Sequence, residues 1–388
     1  MHKSPLFISL LILLVISVIG FQCSSTEITS AKLYIQQKNL DKAMESLQKE
    51  VTKNPNSDEG YYLLGYVYGE KEKYKDAMDA FNKSLSISNK YAKNIGESRK
   101  FFWANLFNKG VAFYQKGINT TNVDSSKMYF EKSIVNFENA VEIEPDSADT
   151  YKNLAFVYMS AGDNDKAISP LKKLIELEKA LDGYRYLGEI YYTKGSISRN
   201  DYEVTKNPQD SINSVNHYLD AIKVLEEGRK FYPGDSELLV VLSNSYIGAN
   251  KIDVAIDAFK TGVEQEPENK YYRYNYGVLL LGSENYEEAE KQFKKAIEID
   301  PEYSNAVYNL AVTYVRWGTA LNKIAEEKQI QSDEYKEKYR LALPYLEKVA
   351  QSKEADAGTW ELLGKVYTIL GMQDDANNAF QKADELRK

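Results

Sequence analysis

Apolar side chains recur along this chain in short clusters at helical spacing, and the clusters themselves return about every 34 residues. The last copy carries Trp360, Leu363, Gly364 and Tyr367, then, after a polar break, Ala376, Phe380 and Ala383. Earlier copies read Tyr61, Leu64, Gly65, Tyr68, Ala77, Phe81 and Tyr151, Leu154, Ala155, Tyr158, Ala167, Leu171. Each half of such a unit predicts an amphipathic helix, and the pairing of halves predicts stacked helical hairpins. The core of such an array grows along one axis, so 388 residues need not divide into conventional domains.

These positions resemble the tetratricopeptide repeat over nearly the whole chain. The resemblance implies an all-α, right-handed α-solenoid of about nine helix hairpins: a binding scaffold with no built-in chemistry. In the family frame, positions 8, 20 and 27 are small because the two helices cross there, and a larger side chain would overpack the contact. Positions 4, 7, 11 and 24 are bulky, and position 32 is often Pro, which cannot continue a helix. Nine stretches fit, near 24–57, 58–91, 103–147, 148–180, 181–235, 236–269, 270–303, 304–356 and 357–388. Gly65, Gly188, Gly277 and Gly364 are therefore expected in one equivalent environment.

Three hairpins are longer than the frame, with extra residues between their two helices at Thr120–Tyr129, Ser196–Ser214 and Thr319–Lys338. The last insert is charged and free of Gly and Pro, which predicts both helices extended by two or three turns. The middle one, with Asn207, Pro208 and Gln209, reads as more loop-like. The linker Tyr91–Phe102 is expected to extend a helix. Pro170 and Pro344 fall inside second helices and predict mild kinks rather than breaks.

Residues from about Leu6 to Phe21 form an apolar run behind His2 and Lys3. It reads as a secretory signal core, short of the roughly 20 residues of a spanning helix. Cys23 follows at once, an arrangement that resembles a bacterial lipoprotein whose thiol is lipidated. Gly20 stands where that motif usually has Leu, and Gln22 where it has a small residue. Lipidation at Cys23, an uncleaved anchor and cleavage near Ser25 are the three readings of residues 1–23. All three place residues 24–388 outside the cytoplasmic membrane, in a cell envelope facing the periplasm or the surface.

Composition narrows the chemistry. A net charge of −8 and a pI near 5.2 argue against nucleic acid, which demands a positive footprint. One cysteine and two histidines, His2 and His217, exclude a Cys/His zinc site and an intramolecular disulfide. The sequence has no calcium-loop spacing and no phosphate-cradling glycine run, so neither metal nor cofactor is expected. The repeats also consume the chain from Ser24 to Lys388, which leaves no span of about 100 residues for a catalytic domain.

In the resembled family, positions 2, 5, 9 and 12 of the first helices face a concave groove. Transferred here they give Tyr62, Tyr66, Phe107, Tyr114, Phe156, Arg185, Tyr192, Asn244, Tyr271, Tyr274, Tyr308 and Arg316. Tyr and Arg dominate interface energetics because they bury large area and keep a polar handle. A peptide or partner helix along this groove is one reading; rings packed between neighbouring repeats is the other. Lys152 at position 5 followed by Phe156 at position 9 departs from the Lys and Asn with which one subclass grips a terminal carboxylate. The expected function is a non-catalytic, exported interaction scaffold with a protein or peptide partner, in envelope assembly or secretion. The alternatives are the substrate arm of a glycan- or peptide-processing enzyme complex and a self-stacking structural component, the latter disfavoured by the charged final helix ending QKADELRK.

Overall fold

The computed structural model describes residues 25–352 and 355–387, so the apolar run and Cys23 lie outside the described residues. The chain divides into two compact units, Met1–Glu178 and Lys179–Lys388. Among the described residues every regular element is a helix.

Unit one holds four hairpins: α1 (Thr26–Gln36) with α2 (Leu40–Lys53), α3 (Asp58–Glu70) with α4 (Tyr74–Ile87), α5 (Ala92–Asn119) with α6 (Val123–Ile143), and α7 (Ala148–Ser160) with α8 (Asn164–Glu178). Unit two holds five: α9 (Leu181–Thr205) with α10 (Pro208–Phe231), α11 (Ser236–Gly248) with α12 (Ile252–Gln265), α13 (Lys270–Gly282) with α14 (Tyr286–Ile299), α15 (Ser304–Glu327) with α16 (Glu334–Ala350), and α17 (Ala357–Ile369) with α18 (Gln373–Leu386).

Chain punctuation sets these boundaries. Pro55, Pro145, Pro233, Pro267 and Pro301 each stand three residues before a first helix and end the helix that precedes it. The next first helix then opens on a capping side chain: Ser57 accepts from the Gly60 amide, Asp235 from Leu238 and Asn269 from Tyr271. Inside the hairpins, Gly162 and Gly371 turn the chain at φ of 80° and 79°, which glycine adopts without strain.

Glycine also fixes the helix crossings. A Cβ built on Gly65 would lie 2.5 Å from the Phe81 ring, one on Gly277 2.8 Å from Phe293, and one on Gly364 2.8 Å from Phe380. Gly188 meets Leu225 at the same place. The four glycines thus occupy one equivalent environment, a first helix pressed onto the bulky residue sixteen or more positions later.

The three long hairpins repeat this device two turns further out. Gly110 meets Phe137, and Gly117 meets Phe130; Gly188 meets Leu225, and Gly195 meets Tyr218. Gly318 meets Tyr339 in the same way. The steps are seven residues on each helix (110 to 117, 137 to 130), so the same sides keep facing. Ser133 and Ser214 add hydroxyl bonds of 2.8 Å to the Gly110 and Gly195 carbonyls, which spends their polar groups inside the crossing.

The loop-like reading of the middle insert is therefore corrected: α9 and α10 run to 25 and 24 residues and meet across a tight turn. Asn207 caps α10 by accepting from Gln209, and Pro208 takes its first position, where a missing N–H costs nothing. The eighth hairpin extends unequally. α15 has 24 residues against the 13 of α13, whereas α16 has 17 against the 14 of α14. The Tyr91–Phe102 segment does join a helix, the 28-residue α5, and α8 and α16 run unbroken across Pro170 and Pro344.

Successive hairpins are pinned by one recurrent bond. Tyr158 donates to Glu138 at 2.6 Å, Tyr246 to Glu226 at 3.0 Å, Tyr314 to Glu290 at 2.8 Å and Tyr367 to Glu347 at 2.8 Å. In each case a first-helix tyrosine reaches the second helix of the hairpin before it. Within unit two the first helices α9, α11, α13 and α15 also touch in succession, so they form a continuous face.

Candidate functional site

The candidate site is the face of the first helices, described for each unit separately. In unit one most of the predicted rings are held by partners inside the unit. Tyr62 is only 8% exposed and stacks 5.0 Å from Tyr91 and 6.5 Å from Phe81, which makes it core. Tyr66 lies 6.0 Å from Phe102, and burial together with the Glu70 charge pushes its hydroxyl far above the usual tyrosine range. Phe107 sits between Trp103 and Phe137, at 5.3 and 5.6 Å, and the Trp103 indole donates to Thr150 at 3.0 Å. Tyr114 stands 6.1 Å from Phe130 with its hydroxyl 3.2 Å from that of Ser160, and Phe156 carries the Lys152 ammonium 5.7 Å above its ring.

In unit two the predicted rings are half-buried, as are those of unit one other than Tyr62. Tyr271, Tyr274 and Tyr303 form a cluster with centroids 5.9 Å (Tyr271 to Tyr303) and 5.1 Å (Tyr274 to Tyr303) apart, and Tyr274 also leans on Phe293 at 5.9 Å. The Asn309 amide donates to the Tyr274 hydroxyl at 3.1 Å. Lys270 rides over Tyr271 and Tyr303 while bonded to Asp300. Tyr192 packs 5.7 Å from Tyr218.

Charge on this face is mostly spent internally. Arg185 grips Asp235 through two nitrogens and reaches Glu237 at 2.8 Å. That fork fixes the start of α11, since Asp235 is also its cap. Glu361 is shared by Lys365 and Arg387. Between these pairs lies a half-exposed strip from three adjacent first helices. It comprises Val240 and Asn244 of α11, Tyr274 and Val278 of α13, and Tyr308 and Val312 of α15. Each pair is four residues apart, hence on one side of its helix. Burial pushes the Tyr274 and Tyr308 hydroxyls up, so both remain neutral donors. Arg316, by contrast, is exposed.

The aliphatic members Val240, Val278 and Val312 are not among the aromatic and polar candidates read from the sequence, although they fall at positions 5 and 9 of the same frame. Tyr303 and Asn309 could not be placed from one repeat, because they reach Tyr274 from a neighbouring hairpin. The described residues include no group of three or more His, Cys, Asp or Glu side chains able to hold a metal, and no helix long and apolar enough to cross a membrane.

Comparison with known proteins bears on the repeats. Residues 58–91 and 240–304 match sequence models of the tetratricopeptide repeat. A TPR repeat-containing protein of Methanocaldococcus jannaschii is 24% identical over 77% of this chain and 47% of its own length. The YpiA protein of Bacillus subtilis, also TPR repeat-containing, is 21% identical over 92% of this chain and 86% of its own. The peroxisomal targeting signal receptor of Kluyveromyces lactis is 24% identical over 47% of this chain and 35% of its own. The chain thus spans less than half the length of the archaeal and yeast relatives. Among solved structures, a tetratricopeptide repeat protein of Parabacteroides merdae aligns at 16% identity with a TM-score of 0.42, covering 72% of this chain and 93% of that one. With matched repeats in both units, set in the frame that the glycine crossings share, the chain carries tetratricopeptide repeats.

Proposed function

We propose that the protein is a non-catalytic scaffold that holds a peptide or partner protein along the first-helix face of unit two. One observation carries this reading: the strip from Val240 to Val312 is largely apolar and half-exposed, while Arg185, Asp235 and Glu237 at its near end are already paired with one another. Burying such a strip gains the hydrophobic term, and no member of it carries a charge that would have to lose its water. Its half-buried tyrosines offer hydroxyl donors at fixed points, which supplies register. Repeats of this kind serve as interaction surfaces, and nothing in the strip provides a nucleophile with an adjacent base.

A photo-crosslinking residue placed at Val278 or Val312 is expected to yield discrete protein adducts in the native cell. The same residue at Lys260 or Lys291, exposed on second helices, is expected to yield none. Equal labelling at all four positions would remove the reading.

Export to a bacterial envelope is proposed on the apolar run Leu6–Phe21 and Cys23 alone. Palmitate labelling that disappears in Cys23→Ser tests the lipid anchor. Recovery of the wild-type chain in the cytoplasmic fraction contradicts export.

A further inference from the structure

We propose that the edge where α15 and α16 overhang the turn of hairpin seven is a docking point for an acidic, Asp- or Glu-bearing segment of the partner. The inference rests on the first-helix reading given above and adds the chemistry and direction of what lies there.

Trp317 of α15 stacks on Tyr286, with centroids 6.2 Å apart and planes 16° apart. The Lys338 ammonium of α16 stands 3.2 Å from the centre of the Trp317 ring. Arg316, the residue before Trp317, is exposed, and its charge is felt by both Tyr286 and Tyr308. It therefore links the edge to the strip.

Among the described residues, Arg316 and Lys338 have no ion pair, and neither they nor the Trp317 indole have a hydrogen-bond acceptor. Equivalent groups elsewhere are engaged: Arg185 by Asp235, Lys270 by Asp300, and the Trp103 indole by Thr150. Two acids act here. The Glu284 charge is felt by Tyr286, and Glu290, which also feels the Lys338 charge, is committed by hydrogen bonds to Lys294 at 2.6 Å and Tyr314 at 2.8 Å.

Three donors with no hydrogen-bonded acceptor among the described residues, set around two aromatic rings, fit a carboxylate with an apolar neighbour. A guanidinium presents parallel N–H groups that match both carboxylate oxygens, and such charge-assisted bonds are the strong ones. The local pair of cations also contrasts with the chain's net charge of −8, which would repel an acidic segment elsewhere. The acidic end of the partner then lies at hairpin eight and its apolar residues run over Val312 and Val278.

The test screens the purified full-length chain against an array of short random peptides. It compares wild type, the double variant Arg316→Gln with Lys338→Gln, and Val278→Asp, with melting curves as a folding control. Wild type should select peptides rich in Asp and Glu. The double variant should bind the best of them about tenfold more weakly, the worth of one charge-assisted contact. The Gln version of that peptide should bind wild type and double variant alike. Selection with no acidic preference, or undiminished binding by the double variant while Val278→Asp loses it, overturns the docking point and leaves the strip. Undiminished binding by both variants overturns the two together.

Discussion

The hydroxyl of Tyr158 donates to the Glu138 carboxylate across the seam between α6 and α7, and Tyr246 with Glu226 and Tyr367 with Glu347 make the same bond at the same spacing of 20 residues. The ring of Tyr158 is buried, while its oxygen meets a carboxylate that stays in contact with water. Burial pushes this hydroxyl well above the ordinary tyrosine range, so it remains a donor at every physiological pH. Tyr158→Phe should cost about 1 kcal/mol, because Glu138 can recover its solvation. Urea unfolding of Tyr158→Phe, Glu138→Gln and the double variant reads the coupling directly. A double variant no worse than either single one is expected, whereas strictly additive losses would mean the bond contributes nothing.

Two glycines predict opposite outcomes. Gly277→Ala forces a methyl to within 2.8 Å of Phe293, a fully buried ring with nowhere to move, and should cost about 1–3 kcal/mol. Gly96 lies inside α5 with nothing within 4 Å of the place an added methyl would take, so Gly96→Ala should stabilise by about 0.5–1 kcal/mol. Thermal melts of the pair decide it.

Tyr274 and Tyr308 occupy the same place in adjacent repeats, yet only Tyr274 is tied into a ring cluster and bonded by Asn309. Tyr274→Ala should therefore destabilise by about 2 kcal/mol or more, through lost packing and the stranded Asn309 amide. Tyr308→Ala should cost less than about 1 kcal/mol and act on partner capture instead. Parallel measurements of unfolding and of crosslinking at Val312 separate the two roles.

Acid should loosen the start of the last hairpin. Asp356 caps α17, accepting from the Thr359 amide at 2.7 Å and its hydroxyl at 2.8 Å. The amide bond first, then the hydroxyl, holds its carboxyl below the usual range. A depressed value in the folded state means stability that is present above the unfolded value of about 3.9 and lost as pH falls through the folded one. Hydrogen-exchange protection across residues 357–363, taken relative to the unfolded chain at the same pH, should fall below about pH 4 in wild type. Asp356→Asn, which keeps the cap but cannot titrate, should flatten that response, and Asp356→Ala should cost about 1 kcal/mol at neutral pH.

Much of the fold is legible in the sequence because each hairpin repeats a local requirement. Gly65, Gly277 and Gly364 mark a contact whose partner ring lies sixteen residues on, within reach of a single repeat's pattern. The middle insert reads as a loop because Asn207 and Pro208 look like loop punctuation, whereas here they form the turn between two long helices. The signal that resolves it is present in the chain: Gly195 stands seven residues after Gly188, and Tyr218 seven before Leu225. The site is less legible. Tyr62 and Tyr274 share the first-helix face, but whether such a ring is core or surface depends on Tyr91 in one case and Tyr303 and Asn309 in the other. Those partners come from outside the first helix that carries the ring, where its own pattern does not reach.

The glycine-to-ring pairs in the long hairpins return only after two full turns on both helices. An insertion of intermediate size would swing the ring away from its glycine and leave a bulky side chain against backbone. The contacts within an overhang are therefore quantised even where the helix ends are not: evolution or an engineer can add a further crossing only one heptad at a time on both helices, without disturbing the repeats on either side.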